Sequence, residues 1–420
     1  MARPNVTVLV EDQSFVIPFT ESGGLTRAGM VSLGGLIGAV GNTADWKNGT
    51  MQINSVGDWV GRLNSSETLP GATVGQLTNF NSNMPFYHTT GAGGGGNTFA
   101  GGTFGRWPSG PTGAWKDEWW AAHNYLQYGG VLIVGGTGSI ENTSISTAST
   151  ALHDKTIPLD IVFASGTSDV SYATNIASTR KDCIAVCPAS GATPSDAIVH
   201  TSQTADEFNV SVYGNKKHLG LNQGLREDSL DDLISTPLTA DVAGCMVRTD
   251  VVADPWWSPA GFKRGDILGV VRLANNPVDA EMDLMYDKKI NPVVTFPGEG
   301  TVLFGDKTLA PSSSTLSRIN VSRLFIFLKN TIGAAARDKL FELNDFETRM
   351  SFINAVNPLL RRIKASRGVY DYRVVCDESN NTADIVDSNQ FVADIFIKPT
   401  KSINFIRIRF VNKNTGDDLG

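Results

Sequence analysis

Charged residues are scarce in this chain of 420 residues: they make up 18% of it, and 35 Lys and Arg are outnumbered by 42 Asp and Glu. The net charge of −7 argues against direct nucleic-acid contact, which shows as a basic stripe along the phosphate backbone. Cysteine is scarcer still. The four, Cys183, Cys187, Cys245 and Cys376, include one C-x3-C spacing that fits neither a zinc knuckle nor a redox pair. They read as buried thiols of a reducing cytoplasm, and no metal or other cofactor is expected. Long apolar runs are missing as well: Val131–Val134 and Leu324–Leu328 fall far below the roughly 20 residues a spanning helix needs. Met1-Ala2-Arg3-Pro4-Asn5 lacks the apolar region of a secretory signal, so no membrane insertion is expected.

Catalytic signatures are thin. The five histidines are widely spaced, no HExxH is formed, and no GxSxG supplies a nucleophile. Gly300-Thr301-Val302-Leu303-Phe304-Gly305-Asp306-Lys307-Thr308 is one residue away from a phosphate-binding loop. Asp306 stands where the lysine must follow the second glycine, and Pro311-Ser312-Ser313-Ser314 follows instead of a helix. Gly38-Ala39-Val40-Gly41 is too poor in glycine for a dinucleotide fingerprint. Trp119-Trp120 and Trp256-Trp257 read as core or interface anchors. Asp377-Glu378, Asn380-Asn381 and Asp384 lack the spacing and central glycine of a calcium loop and read as a solvated turn. The expectation is a protein that is not an enzyme.

What is present is ordered along the chain. Residues 5–17 open with Val6, Val8 and Val10 on one face and Thr7 and Glu11 on the other, the period of a strand with no hairpin partner beside it in sequence. The next hundred residues, with Gly91-Ala92-Gly93-Gly94-Gly95-Gly96, carry no helical period and read as loop-rich β structure. From Trp115 a helical spacing through Trp119, Ala122, His123 and Leu126 meets Gly129-Gly130 and then Val131–Val134: helix, glycine stop, buried strand. The pattern recurs with a strand at 159–164, a helix at 169–180, a strand at 183–187 and another at 210–213, which predicts a small α/β domain over about 115–250.

The last third is the most regular. Leu324, Leu328, Ile332, Ala335 and Lys339 form one stripe of a helix over 319–340, and Asn344-Asp345 offers an N-cap to a second helix. That helix is expected to bury Phe346, Met350, Ile353, Val356, Leu360 and Ile363 and to end by Gly368. Strands follow at 369–376, 390–397 and 403–411, the last with Ile406, Ile408 and Phe410 opposite Arg407 and Arg409. Unpartnered strands close to both ends suggest strand exchange between molecules, because ladder bonds join any two edges while alternate side chains fix register. Val6, Val8, Val10, Ile406, Ile408 and Phe410 are the exchange positions expected. Arg323, Asp345, Glu347 and Arg349 are candidates for contact with a neighbouring molecule.

Five ordered segments together resemble the contractile phage tail sheath family. They are Ile290-Asn291-Pro292 with Gly300–Leu309; Ile319-Asn320-Val321-Ser322-Arg323-Leu324; Leu340-Phe341-Glu342-Leu343-Asn344-Asp345; Val374–Thr382; and Asp394–Thr400 before Ile403-Asn404-Phe405-Ile406. Upstream, Ala243–Asp250 followed by Trp257-Ser258-Pro259-Ala260-Gly261 is similar to the segment that leads into the family's main domain. Residues 60–115 resemble nothing in it.

The resemblance implies a multidomain α/β and α+β chain: a core domain built from both chain ends with a mixed sheet and two helices, an inserted α/β outer domain, and terminal strand-exchange arms. The expected limits are an arm over 1–18, the inserted region over 19–255, the core over 256–402 and a C-terminal strand and arm over 403–420. It implies a structural subunit that polymerises around a tail tube and contracts, located in the virion tail after assembly in the host cytoplasm. Its partners would be further copies of itself, the tail tube protein, and baseplate and tail terminator proteins. A tailocin or secretion-system sheath, or an α/β hydrolase built on residues 115–250, are the rival readings; the hydrolase would show a convergent polar pocket with perturbed ionisable groups.

Overall fold

The computed structural model describes residues 10–11, 14–15, 27–31, 50–59, 114–135, 152–167, 169–191, 193–199, 206, 208–218 and 233–404. Two short strands come first, β1 (Val10–Glu11) and β2 (Ser14–Phe15), paired antiparallel with Val10 opposite Phe15. The expected first strand therefore does have a partner next to it in sequence, and the expectation of an unpartnered strand is corrected. Val6 and Val8 lie outside the described residues.

A large sheet follows. Its strands are β3 (Arg27–Val31), β4 (Thr50–Ile53), β5 (Val131–Gly135), β6 (Ile161–Phe163), β7 (Ile184–Pro188) and β8 (Asn209–Tyr213). Chain then passes through a small antiparallel sheet of β9 (Asn215–His218), β10 (Ile234–Pro237) and β11 (Arg272–Leu273), with β9 in the middle. It returns to the large sheet as β12 (Ile290–Phe296) and β13 (Gly300–Leu303), giving the order β13-β12-β8-β7-β6-β3-β5-β4. The six inner strands are mutually parallel, and antiparallel β13 and β4 close the edges. Every residue of β5, β7 and β8 is buried, the burial on both faces that makes parallel strands read as unbroken apolar runs.

Helices α1 (Ala114–Leu126), α2 (Val170–Arg180) and α3 (Pro194–Val199) supply connections of this sheet. Gly129, at φ +84°, turns the chain from α1 into β5, and a Cβ on Gly130 would lie 2.2 Å from the Tyr125 hydroxyl. Helix α4 (Thr239–Val252) packs on α1, β6 and β7. Gly244 lets it approach, since a Cβ there would sit 2.2 Å from the Tyr128 ring.

The sheet reaches well beyond residues 115–250: β3 and β4 come from upstream, and β12 and β13 come from a stretch assigned to the core domain. Parallel pairing joins segments far apart in sequence, so a five-residue strand with a central Gly29 carries little local signal.

After α5 (Asp279–Asp287) and the β12–β13 hairpin, the chain forms a second cluster around helices α6 (Ile319–Arg337) and α7 (Phe346–Ala365). Val321, Leu324, Leu328 and Ile332 from α6 meet Phe352, Val356, Leu360 and Ile363 from α7. Strand β14 (Val369–Val375), the short helix α8 (Ala383–Asp387) and β15 (Asp394–Pro399) complete the unit, with β14 and β15 antiparallel and β14 laid on α7. Residues 403 and 404 are not in a strand; Ile406, Ile408 and Phe410 lie outside the described residues. No helix among the described residues is long and apolar enough to cross a membrane.

Candidate functional site

Sheet edges are the first feature with functional content. Strands β14 and β15 form a sheet of two strands, and two strands alone are marginally stable in water. Helix α7 supports one face, while Tyr370 and Phe396 remain exposed. The register shifts between Val369 and Asp371, a bulge of the kind that bends and twists an edge. Strand β2 lies against β15 although the two belong to separate sheets. Of the six expected exchange positions, Val10 in β1 is the one within the described residues.

The turn between α6 and α7 is the second feature. Asp345 caps α7: its carboxylate accepts the Thr348 N–H at 2.8 Å, and that bond, with the Thr348 hydroxyl, holds its pKa below the usual carboxylate range. Glu347 is exposed in the first turn. Two other expected contact residues are occupied internally. Arg323 is 4% exposed; its Nη2 meets Asp250 Oδ2 at 2.6 Å and its Nη1 reaches the Met246 carbonyl, so it ties α6 to α4. Buried Arg349 donates to the side chain and carbonyl of Asn344 and braces the turn. Within the subunit each guanidinium faces inward, where burial demands a partner.

Around these charges the turn exposes Phe341 (88%), Leu343 (77%) and Phe346 (71%). Phe346 and Met350 were expected in the core. The buried face of α7 instead runs through Phe352, Val356, Leu360 and Ile363, which leaves Phe346 one turn too early to reach α6. Three large apolar side chains thus stand exposed on one turn, and the sequence signal that could have found them is the largely apolar Leu340–Leu343 run across a helix break.

The third feature is where the near-miss of a phosphate loop ends. Beyond β13, Asp306 is buried and its Oδ1 accepts from Arg318 Nη1 at 2.9 Å, Tyr286 Oη at 3.2 Å and Asn404 Nδ2 at 2.7 Å. Its Oδ2 accepts from the Ser402 hydroxyl. Lys307 donates through Nζ to the Tyr286 carbonyl at 2.6 Å, with the ammonium 3.7 Å from the Tyr286 ring centroid. Burial, then the Asp306 charge, push the Tyr286 hydroxyl up to about 12, so it keeps its proton at neutral pH. A cavity of about 550 Å³ opens beside this network, lined by Trp257, Arg264, Tyr370 and Ile403 among others. Asp306 is ion-paired with Arg318, and the guanidinium groups of Arg264 and Arg367 stand over the Trp257 ring at 5.2 and 5.3 Å, so the cavity lies at a junction between the two cores.

All four cysteines are free and buried; burial pushes Cys245 up to about 12 and Cys376 up to about 11, and raises Cys183 and Cys187 further. Such thiols are poor nucleophiles at neutral pH. Among the described residues no group of three His, Cys, Asp or Glu could hold a metal ion.

The family model described as the phage tail sheath protein central domain matches residues 138–309, and that of the phage tail sheath C-terminal domain matches residues 312–413. The tail sheath protein of Enterobacteria phage T4 is 39% identical over 271 residues, covering 59% of this chain and 40% of that protein. That of Vibrio phage KVP40 is 52% identical over 183 residues, covering 44% of this chain and 27% of that protein. The chain thus spans well under half the length of these relatives. Among solved structures, the PVC sheath complex of an extracellular contractile injection system in the contracted state shares the fold at TM-score 0.66 and 16% identity, with 98% of each chain covered. A sheath tail protein from Listeria innocua does so at TM-score 0.52 and 10% identity, over 91% of this chain and 94% of that one.

Proposed function

The chain belongs to the contractile phage tail sheath family, and from that membership we propose that it is a structural subunit, not an enzyme, which polymerises as a helical sleeve around a tail tube and contracts. The observation that carries the assembly mechanism is the two-stranded β14–β15 sheet with β2 lying against it. A sheet of that size gains most from added strands, and the unpaired groups along its edges accept any extended segment. The N-terminal arm, with Val6, Val8 and Val10, and the C-terminal arm, with Ile406, Ile408 and Phe410, are the strands donated to neighbours. In a lone subunit β2 sits at the β15 side; in the sleeve the same position is filled by another copy, as in a domain swap.

Donation to different neighbours makes each contact heterologous, and repetition of such a contact grows a ring or an open helix. The C-terminal unit with both arms forms the inner core, and the large sheet forms an inserted outer domain. The exposed α6–α7 turn, with Phe341, Phe346, Asp345 and Glu347, faces the tube or a neighbouring subunit. Baseplate and tail terminator proteins bound the sleeve, assembly occurs in the host cytoplasm, and the product resides in the virion tail. The extended sleeve is a kinetically trapped state whose contraction enlarges contacts between outer domains, so no nucleotide is needed. A requirement for nucleotide in contraction of purified tails would contradict this.

A contractile injection machine other than a phage is the rival. The curated relatives, 39% and 52% identical over the matched segments, are phage tail sheath proteins, which favours a phage. Deletion of Met1–Glu11 tests the exchange: the truncated chain is expected to stay folded and monomeric where the full chain forms sleeves. Sleeves of normal length from the truncated chain would refute it.

A further inference from the structure

We propose that Asp306 is the positioning residue for the C-terminal arm: its buried carboxylate clamps residues 402–404 and so fixes the direction in which the following residues leave the core. This rests on the reading that those residues are donated to a neighbour. The backbone hydrogen bonds that carry β15 forward end at Thr400, whose N–H donates to the Gly368 carbonyl at 3.1 Å and whose carbonyl accepts from Asn320 Nδ2 at 3.3 Å. From Lys401 onward the described chain is held through the side chains of Ser402 and Asn404. Both converge on Asp306, Ser402 at Oδ2 and Asn404 at Oδ1, and Asn404 also donates to the Tyr286 hydroxyl.

The anchor on the core side is also held by residues outside the arm. Asp306 is 2% exposed and keeps its ion pair with Arg318 at 2.9 Å; Arg318 in turn donates to the Tyr286 hydroxyl. The Lys307 N–H donates to Asn291 Oδ1 at 2.8 Å, which pins the same loop to β12. Ser402 and Asn404 sit on the outside of this network, half-buried and exposed respectively. Hydrogen bonds to an ionised acceptor are about twice as strong as neutral ones and directional, so a pair of them from residues two apart sets both the position and the heading of the chain. The cavity beside them, lined by Trp257, Tyr370 and Ile403, leaves space for that heading to change once the pair is broken. A side-chain latch with room beside it suits an arm that must hold one direction in one state of the sleeve and release it in another.

The test uses the full chain with Ser402→Ala and Asn404→Ala together. Asp306 retains Arg318 and Tyr286, so the urea midpoint of the soluble subunit is expected to fall only slightly. The critical concentration for sleeve growth should rise at least about tenfold, because two charge-assisted bonds that orient the arm are gone. Trypsin cleavage after Lys401 should quicken by a similar factor. Ser402→Thr with Asn404→Gln keeps both donors and should restore both values. Unchanged cleavage, or a midpoint that falls in step with assembly, overturns the inference. Should the wild-type chain form no sleeves even on a supplied tube, the sheath reading fails, and the Lys401 cleavage rates alone still decide whether the latch exists.

Discussion

Replacing Arg323 by alanine separates a bridge inside the subunit from a contact with the tube. Its Nη2 lies 2.6 Å from Asp250 Oδ2, with side chains only 4% and 13% exposed. Breaking a buried pair from one side leaves the other charge without compensation, at about 3–5 kcal/mol. Asp250 reaches some water, so Arg323→Ala should fall at the lower end, about 3 kcal/mol, a large fraction of the 5–15 kcal/mol typical of a domain. The pair joins α6 to α4 and hence the two hydrophobic clusters, so urea unfolding followed by tryptophan fluorescence should also lose cooperativity. The cycle completed by Asp250→Asn and the double variant should give a coupling of at least about 1 kcal/mol, as expected for residues in contact. A stability change under about 0.5 kcal/mol, the range of ordinary surface substitutions, would refute the internal assignment.

Arg180→Lys should lose about 3 kcal/mol despite its retained charge. All five guanidinium N–H groups are engaged, by the Leu152, Asp154 and Ile157 carbonyls and both oxygens of Asp182, and a lysine offers three donors from one atom; denaturant midpoints measure it. Gly244→Ala should destabilise by about 1–3 kcal/mol, because the Tyr128 ring that its Cβ would strike is fixed by Asp241 at 3.2 Å and the Leu268 N–H at 2.9 Å; the thermal midpoint reads this out. His123, buried against Trp119 and Trp120, is lowered from 6.5 to about 4, chiefly by burial. Between those values the unfolded chain binds a proton that the folded chain refuses. Stability is therefore full above about pH 6.5 and falls toward pH 4 by on the order of 3 kcal/mol, and His123→Gln should flatten that part of the profile. Phe341→Ser with Phe346→Ser should leave the urea midpoint unchanged and weaken binding to the tube or to neighbouring subunits, read by co-sedimentation.

Local patterns carried much of this fold. Apolar runs located β5 to β8, the first of them after Gly129-Gly130, the 3.6-residue period located α6 and α7, and Asp345 was legible as a cap because a carboxylate before an amphipathic run satisfies the first free N–H groups of the helix. Strands β3, β4 and β9 were not legible. Gly29 interrupts β3, and Lys216 in β9 is buried against Asp241 at 2.7 Å, a partner 25 residues away in sequence that no local pattern pairs with it. The same limit applied to the site. Periodicity counts Phe346 as core because it cannot know where a helix runs out of neighbours. Asp306 was noticed as the residue that spoils a phosphate loop, while its role as a hub depends on Tyr286, Arg318, Ser402 and Asn404, which only the folded chain brings together.

The most direct test of the account is electron cryomicroscopy of the full chain polymerised with the tail tube protein, with the arms traced between subunits. The account predicts a hollow helical sleeve in which each β14–β15 sheet gains strands from other copies, one of them containing Val6, Val8 and Val10. Subunits that remain monomeric on a supplied tube, or a sleeve in which every β14–β15 sheet is completed by its own chain alone, would contradict it.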